Sequence, residues 1–399
     1  MFQPNARLFL LNTMISGASF GIFRLLFNFY VLSLGFDEAV IGRLVTTSSL
    51  IALIAALPAG VVGDRIGRKR SLLISVALLS SAVFGIVIWR NVASFYAMNI
   101  LMGLAQSLSG VIMGPFLMEN SGDAERTYLF SFNSGLRMIA GFVGNWLGGR
   151  LPAMIGAMQG VSAVSPQAYA GALTIVAVIA LLGLIPLSLL KRKHKTPEES
   201  ELDLSPIQYA RQHPKLLGKL ISPMFITSLG AGLLMPFINI FFRNTHGSSD
   251  ATIGSLFATG SLAMAIGLLI APPLADRYGK MQVVVISQAL SIPFLILLGF
   301  APWFWVGALA YFVRLALMNM STPVYQAFIM ENVDRNARAT VASLVSMSWQ
   351  FGWAFSPTAS GWLQVNYGFD PIFIGTILCY ILAITLYWRF FLHKQPSKT

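Results

Sequence analysis

The sequence predicts an all-α integral membrane protein: twelve transmembrane helices in two pseudo-symmetric six-helix bundles, with both termini in the cytoplasm. Three observations carry this expectation. Of 399 residues, 56% are hydrophobic and only 11% charged, against about 25% charged in an ordinary soluble protein. A soluble fold of this size has no means of covering its surface with so few charges. Long charge-free runs alternate with short basic ones, and the chain repeats itself at an offset of 212 residues.

An α-helix needs about 20 apolar residues to cross a bilayer. Read in order, the spans fall at 8–32, 41–63, 71–90, 95–118, 127–150, 168–190, 219–242, 252–275, 281–300, 303–329, 338–364 and 370–391. The first has no small-residue cleavage site after a short apolar core, so it reads as a retained anchor. Spans one, five and ten are each interrupted by one arginine: Arg24, Arg137 and Arg314. The long run 151–190 is divided by a Gly/Ser/Pro/Gln-rich stretch at 156–167, which leaves the sixth span after it. Three segments result: an N-terminal bundle at 1–190, a cytoplasmic linker at 191–218 and a C-terminal bundle at 219–399. The linker opens on a basic Lys191-Arg192-Lys193 run followed by an acidic stretch, the composition of a solvated connection.

Basic residues orient the chain. With the N-terminus inside, 20 of the 27 Lys and Arg lie in inward segments and 3 in outward ones. The excess of basic residues in short cytoplasmic loops sets both termini in the cytoplasm. The net charge of +12 is therefore loop charge of a multi-pass protein of the plasma (cell inner) membrane, and no nucleic-acid partner is expected. Cys379 has no second cysteine to pair with, and the four histidines stand far apart, so neither a disulfide nor a metal site is expected. The chain has no nucleophile–histidine set, no paired carboxylates within a span and no phosphate-binding loop. Neither enzymatic activity nor a cofactor is expected.

The repeat is dense. Between 41–70 and 253–282 there are 12 identities in 30 positions. Asp64-Arg65-Ile66-Gly67 aligns with Asp276-Arg277-Tyr278-Gly279, Glu119 with Glu331, and Arg126 with Arg338. One offset held over nearly a hundred residues marks two parallel six-span repeats. The segment from Gly60 through Gly63-Asp64-Arg65-Ile66-Gly67-Arg68-Lys69-Arg70 resembles the signature loop between spans two and three of the major facilitator superfamily. Ala275 through Lys280 stands where that family carries its second copy. The resemblance covers the whole chain. Gly144-Asn145-Trp146-Leu147-Gly148-Gly149 is similar to the family's Gly-Pro-x-x-Gly-Gly antiporter motif, with Asn145 in place of proline; Pro357 keeps the proline in the second half. Proton-coupled drug antiporters of the family carry an arginine where this chain has Asn99.

The resemblance implies a conformational latch. Asp64 is expected to face the start of the eleventh span at Arg338, where a helix N-terminus favours negative charge, and Asp276 to face Arg126. Arg65 and Arg68 are expected to pair with Glu119, and Arg277 with Glu331. Gly67 and Gly279 permit the tight turns. Arg137, Gly141, Gly144 and Gly148 follow spacings of 4, 3 and 4 and share one helix face. Their small side chains allow close helix packing or a gating hinge.

None of the 15 acids falls mid-membrane, whereas Arg24, Arg137 and Arg314 do. A charge there costs several kcal/mol unless it faces water or a partner. In the resembled family, spans one, four, seven and ten line a central cavity. Helical spacing adds Asn28 beside Arg24, Asn99 and Gln106 in span four, Asn239 in span seven, Tyr325 in span ten, and Gln350 and Trp353 in span eleven. Amides and aromatics beside arginines suit a small organic or amphipathic anion. The expected function is secondary active or facilitative transport by alternating access, as antiporter or uniporter, by a monomer. A multidrug or cation exporter of the proton-antiporter type and a non-transporting receptor or assembly factor on the same fold remain alternatives.

Overall fold

The computed structural model describes residues 2–191, 211–333 and 338–393, and these form helices without a strand. The helices are α1 (Pro4–Ser33), α2 (Glu38–Ile54), α3 (Ala56–Ile66), α4 (Arg68–Ile88), α5 (Val92–Glu119), α6 (Asp123–Gly148), α7 (Leu151–Gln159), α8 (Pro166–Leu182) and α9 (Leu184–Ser188). They continue as α10 (Pro214–Leu234), α11 (Ile238–His246), α12 (Asp250–Tyr278), α13 (Lys280–Phe300), α14 (Phe304–Glu331), α15 (Arg338–Tyr367) and α16 (Asp370–Tyr387). The linker residues 192–210, including Ser200, and the loop residues Asp334 and Arg335 lie outside the described residues.

Local chemistry sets the ends. The Asp37 carboxylate caps α2 by accepting the Val40 N–H at 2.8 Å, and the Asn91 side chain caps α5 through Ser94 N–H at 2.9 Å. Ser165 caps α8, with Pro166 at its first position. Gly67 (φ 88°) separates α3 from α4, and Gly279 (φ 91°) separates α12 from α13. Both turns need a backbone conformation that side chains with a Cβ rarely adopt.

Three expected spans are more broken than their hydropathy suggests. The second bends by 54° between α2 and α3. Pro58 lies just past the bend and its ring opposes the carbonyl four residues back. The seventh is interrupted by a 3-10 turn at Met235–Phe237, which contains Pro236. In the sixth, α8 gives way to α9 at Gly183. Within the stretch expected to be irregular, α7 continues as far as Gln159, and α8 starts at Pro166.

Nine helices among the described residues are long and apolar enough to cross a membrane, or ten with the bent pair α2–α3 counted as one span. The remaining long helices are α6 and α15, which are equivalent under the 212-residue repeat. They are the polar pair: α6 carries Asn133, Arg137 and Asn145, and α15 carries Ser346, Gln350 and Gln364.

The chain divides into two compact units, Met1–Lys193 with Phe237–Ser261, and His194–Pro236 with Leu262–Thr399. In the first, α1 packs on α6 and α8, and α4 packs on α5 and α8. In the second, α10 packs on α15 and α16, and α13 packs on α14 and α16. Each pair in one unit is the repeat equivalent of a pair in the other, so the duplication read in sequence is present in the packing. The first unit's core includes Leu10, Phe116, Leu129 and Leu187; the second's includes Leu220, Val284, Tyr325 and Val341.

The α1–α6 contact explains the glycine stripe. A Cβ at Gly144 would meet the Ala18 carbonyl oxygen, and one at Gly148 would lie 3.1 Å from Ile22 Cα. Gly21 and Gly17 answer from α1 against Gly141 O and Ala140. Gly141 itself faces open space. Gly149, which ends the motif-like stretch, abuts Asp250 and Gly254 at the start of α12.

Candidate functional site

In the first unit, Arg24 projects from α1 and Arg137 from α6, both exposed. Arg137 lies level with Gly17 of α1, where a Cβ would sit 3.5 Å from the Arg137 carbonyl oxygen. Its Nη2 donates to Met113 Sδ of α5 at 3.1 Å. A thioether is a weak acceptor, so the guanidinium is held in place without being neutralised. Asn133, one turn earlier, accepts from Thr13 Oγ1 at 2.7 Å and lies 3.8 Å from the same sulfur. The N-terminal halves of α1 and α6 border an open apolar groove of about 710 Å³, lined by residues that include Leu11, Met14, Tyr128 and Phe132.

Asn28 and Asn239 are brought together: Asn28 Nδ2 donates to Asn239 Oδ1 at 2.9 Å, and Asn239 Nδ2 donates to the Leu25 carbonyl at 3.0 Å. Asn99 is buried and donates to the Phe95 carbonyl of its own helix. Gln106 is exposed on α5.

In the second unit, Arg314 is 1% exposed. Its Nη2 donates to Tyr380 Oη at 3.0 Å, its guanidinium lies 5.4 Å from that ring's centre, and its Nε has no hydrogen-bond partner among the described residues. Tyr325 is also buried, and its hydroxyl donates to the Leu220 carbonyl at 2.6 Å. Gln350 is exposed on α15. Trp353 is half-buried, with an indole N–H lacking a partner among the described residues. Pro357 is buried on the same helix. Asn99 is therefore spent on its own helix and Tyr325 ties α14 to α10, while Arg24, Gln106, Arg137 and Gln350 present polar atoms at bundle surfaces.

The signature loops form ion pairs inside each unit. Arg68 bridges Asp64 (Nη1–Oδ1, 2.8 Å) and Glu119 (Nε–Oε1, 3.3 Å). Glu331 pairs with Lys280, where the resemblance pointed to Arg277. Lys280 is the repeat equivalent of Arg68, so the two loops make the same contact. Arg277 instead lies 5.2 Å over the Tyr278 ring. Arg65, Asp276 and the Gly60 end of the loop complete the cluster in sequence, and the Arg338 side chain lies outside the described ones.

One cluster escaped the sequence reading. Arg243 of α11 pairs with Asp250 at the start of α12 and donates to Tyr169 Oη of α8 at 2.7 Å. Tyr169 in turn donates to Asp250 Oδ2 at 2.7 Å, and the guanidinium lies 3.3 Å from the Phe29 ring centre on α1. The only sequence signal is an opposite charge pair seven residues apart across a short turn, which reads equally well as two loop charges.

Two repeated helix bundles, polar helices at equivalent positions and duplicated charged loops define a membrane transporter rather than an enzyme. The family model described as Major Facilitator Superfamily matches residues 9–228 and 220–399, and the chain belongs to that superfamily. Among similar proteins is the multidrug resistance protein MdtG of Escherichia fergusonii, 23% identical over 393 residues covering 95% of this chain and 92% of the relative. Another is the class G tetracycline resistance protein of Vibrio anguillarum, 24% identical over 340 residues covering 80% and 82%. A bacterial homologue of the human lysosomal transporter Spinster, solved inward-facing and unoccupied, matches with a TM-score of 0.79 at 14% identity over 100% of both chains. A D-xylose-proton symporter matches at 0.74 and 17% identity, covering 96% of this chain and 97% of its own.

Proposed function

We propose that this chain moves amphipathic organic anions across the cell inner membrane by alternating access of two six-span halves, 1–190 and 219–399. In this reading α6 and α15 are the fifth and eleventh of twelve spans. Their polarity, equivalent in the two repeats, reflects a water-lined path rather than lipid. Both termini and the linker at 191–218 face the cytoplasm, as the basic-residue count favours. The duplicated loops act as latches during the cycle.

The single observation that carries the anion reading is the unbalanced arginine. Arg137 sits in the middle of α6 with a thioether as its hydrogen-bond acceptor, Arg24 is exposed about two-thirds along α1, and no carboxylate lies near either in these helices' middle stretches. Uncompensated positive charge in a low-dielectric surround attracts anions, and the guanidinium fork suits carboxylate, phosphate or sulfonate.

The test is transport in proteoliposomes of matched aromatic probes bearing a sulfonate, no charge or a quaternary ammonium. The sulfonate should be moved fastest. Arg24→Ala should lose about 2–4 kcal/mol of apparent affinity by analogy with buried charge-pair truncations, and Arg24→Lys should retain part of it. Unchanged transport after Gln replaces Arg24, Arg137 and Arg314 one at a time overturns the reading. The relatives named for multidrug and tetracycline resistance favour a second reading, export of drugs irrespective of anionic charge. Preferential efflux of the ammonium probe would establish it.

A further inference from the structure

Residues 237–261 belong by sequence to the second repeat, yet they cluster with the first: the compact unit built on Met1–Lys193 includes Phe237–Ser261. The change of partner falls at the 3-10 turn Met235–Phe237, which separates α10 from α11. Such a turn inside a span interrupts the α-helical hydrogen bonds and is a natural hinge. The equivalent positions of the first repeat, 23–25, lie within the unbroken α1. The break is therefore a property of one repeat only.

Residues 238–242 of α11 are buried in succession, so this helix is covered on every face. Polar contacts tie it and the start of α12 to the first repeat. Asn28 of α1 donates to Asn239, which donates in turn to the Leu25 carbonyl. Arg243 pairs with Asp250, donates to Tyr169 of α8 and lies over the Phe29 ring of α1. Arg150 Nη2 donates to Ser255 Oγ at 3.4 Å, and a Cβ at Gly254 would sit 2.6 Å from the Asn145 carbonyl oxygen. Under the 212-residue offset Arg243 aligns with Val31 and Tyr169 with Ile381, so the cluster is not duplicated. Its polar groups lie at helix ends: Arg243 in the last turn of α11, Asp250 at the first residue of α12, Tyr169 in the first turn of α8. Groups so placed take water in place of one another when they part, which keeps making and breaking the cluster close to balance.

Resting on the twelve-span topology proposed above, which puts these helix ends at the outer face, we infer that the Arg243–Asp250–Tyr169 cluster is an outer clasp of the transport cycle, with Arg243 as its positioning residue. Closed, as here, it holds the outer segments of spans seven and eight against helices of the first repeat. On opening, α11 and the start of α12 part from α1 and α8, with Met235–Phe237 as the hinge. The charged loops at the inner face are duplicated, whereas outer closure depends on one clasp built from one broken span. Weakening the clasp therefore biases the protein toward an outward-open state and does not merely loosen it.

The test measures distances between pairs of spin labels on the full chain carrying Cys379→Ser, in lipid nanodiscs without substrate and well below each variant's thermal midpoint. One pair, Val164→Cys and Asn244→Cys, spans the clasp from the α7–α8 loop to α11, and both positions are exposed. The other pair, Tyr128→Cys and Ala342→Cys, uses exposed positions in the second turns of α6 and α15, toward the inner face. Arg243→Gln and Asp250→Asn should raise the population with a long outer distance about tenfold and shorten the inner distance in that same population. Arg243→Lys keeps the charge and should stay within about threefold of the parent. Tyr169→Phe removes a hydroxyl without a charge and should act in the same direction more weakly, so it carries the test where a charge variant does not fold. Broadening of the outer distance with the inner pair unmoved would make the cluster a local brace and overturn the inference. It is equally overturned if neither pair moves or if both lengthen together. Neither distance depends on substrate charge, so the probe transport described above decides the anion reading separately. Reaction of the Asn244→Cys thiol with an impermeant maleimide from the cytoplasmic face alone would overturn the topology, and the outer placement of the clasp with it.

Discussion

Arg243 shows how one residue ties distant parts of the chain together. It lies on the α11 side of the 3-10 turn, yet its contacts are Asp250, Tyr169 and Phe29 from three other helices. Asp250 is 11% exposed at its side chain and Arg243 23%, so neither charge is well hydrated. Removing one leaves the other poorly compensated, which costs about 1–3 kcal/mol. Asp250→Asn is therefore expected to lower the thermal midpoint of the protein in lipid. Tyr169→Phe, which loses a hydroxyl that both accepts and donates, should lower the stability by about 1 kcal/mol. Cys379 is the chain's one cysteine, so a thiol-reactive dye reports unfolding without engineering. A midpoint unchanged in Asp250→Asn would show that the pair has no structural weight.

At the scale of elements, the α1–α6 interface depends on particular glycines rather than on the whole stripe. Gly144→Ala places a methyl group against the backbone oxygen of Ala18, which no side-chain rotation relieves, so the helices must separate. Overpacking of this kind costs about 1–3 kcal/mol. Gly141→Ala meets open space and restricts the unfolded chain, so it should be neutral or stabilise by up to about 1 kcal/mol. Paired thermal unfolding of the two variants decides the matter: equal effects would contradict the assigned contact. The signature loops behave differently. Asp64 is 52% exposed and Glu331 59% exposed at their side chains, and ion pairs so open to water add about 0–1 kcal/mol to stability. Asp64→Asn is expected to unfold within about 1 kcal/mol of wild type while its transport rate falls severely. Wild-type transport in that variant would reduce Asp64 to a topology anchor.

For the whole molecule, the proposed topology gives a test independent of substrate. In a Cys379→Ser background, cysteines placed at Ser200 and at Ser248 should label from opposite faces of the membrane, Ser200 from the cytoplasm. Labelling of both from one face would break the twelve-span map. The six-helix repeat reaches the packing itself, since equivalent helix pairs form in the two compact units. Their sequences nevertheless diverge where chemistry is concerned: Arg137 is exposed in the first unit, whereas Arg314 is sealed against Tyr380 in the second.

Hydropathy, loop charge and the 212-residue offset determined the helical class, the placement of the long helices and their duplication. These properties are local or periodic: a helix satisfies its own backbone, and a repeat needs only alignment. The breaks at Pro58 and Pro236 were visible as residues, but whether a proline kinks or is tolerated depends on its neighbours in space. Likewise, Gly67 and Gly279 announced their turns, while Lys280 rather than Arg277 proved to be the partner of Glu331, because side-chain reach depends on how a helix is rotated. Only tertiary packing decided which polar groups remain open. Asn99 and Tyr325 have the same spacing signal as Gln106 and Gln350, yet the first two are spent on the carbonyls of Phe95 and Leu220. The α1–α6 groove and the Arg243–Asp250–Tyr169 cluster were hidden for the same physical reason: each joins residues far apart in the chain, and linear spacing carries no record of which helix faces meet.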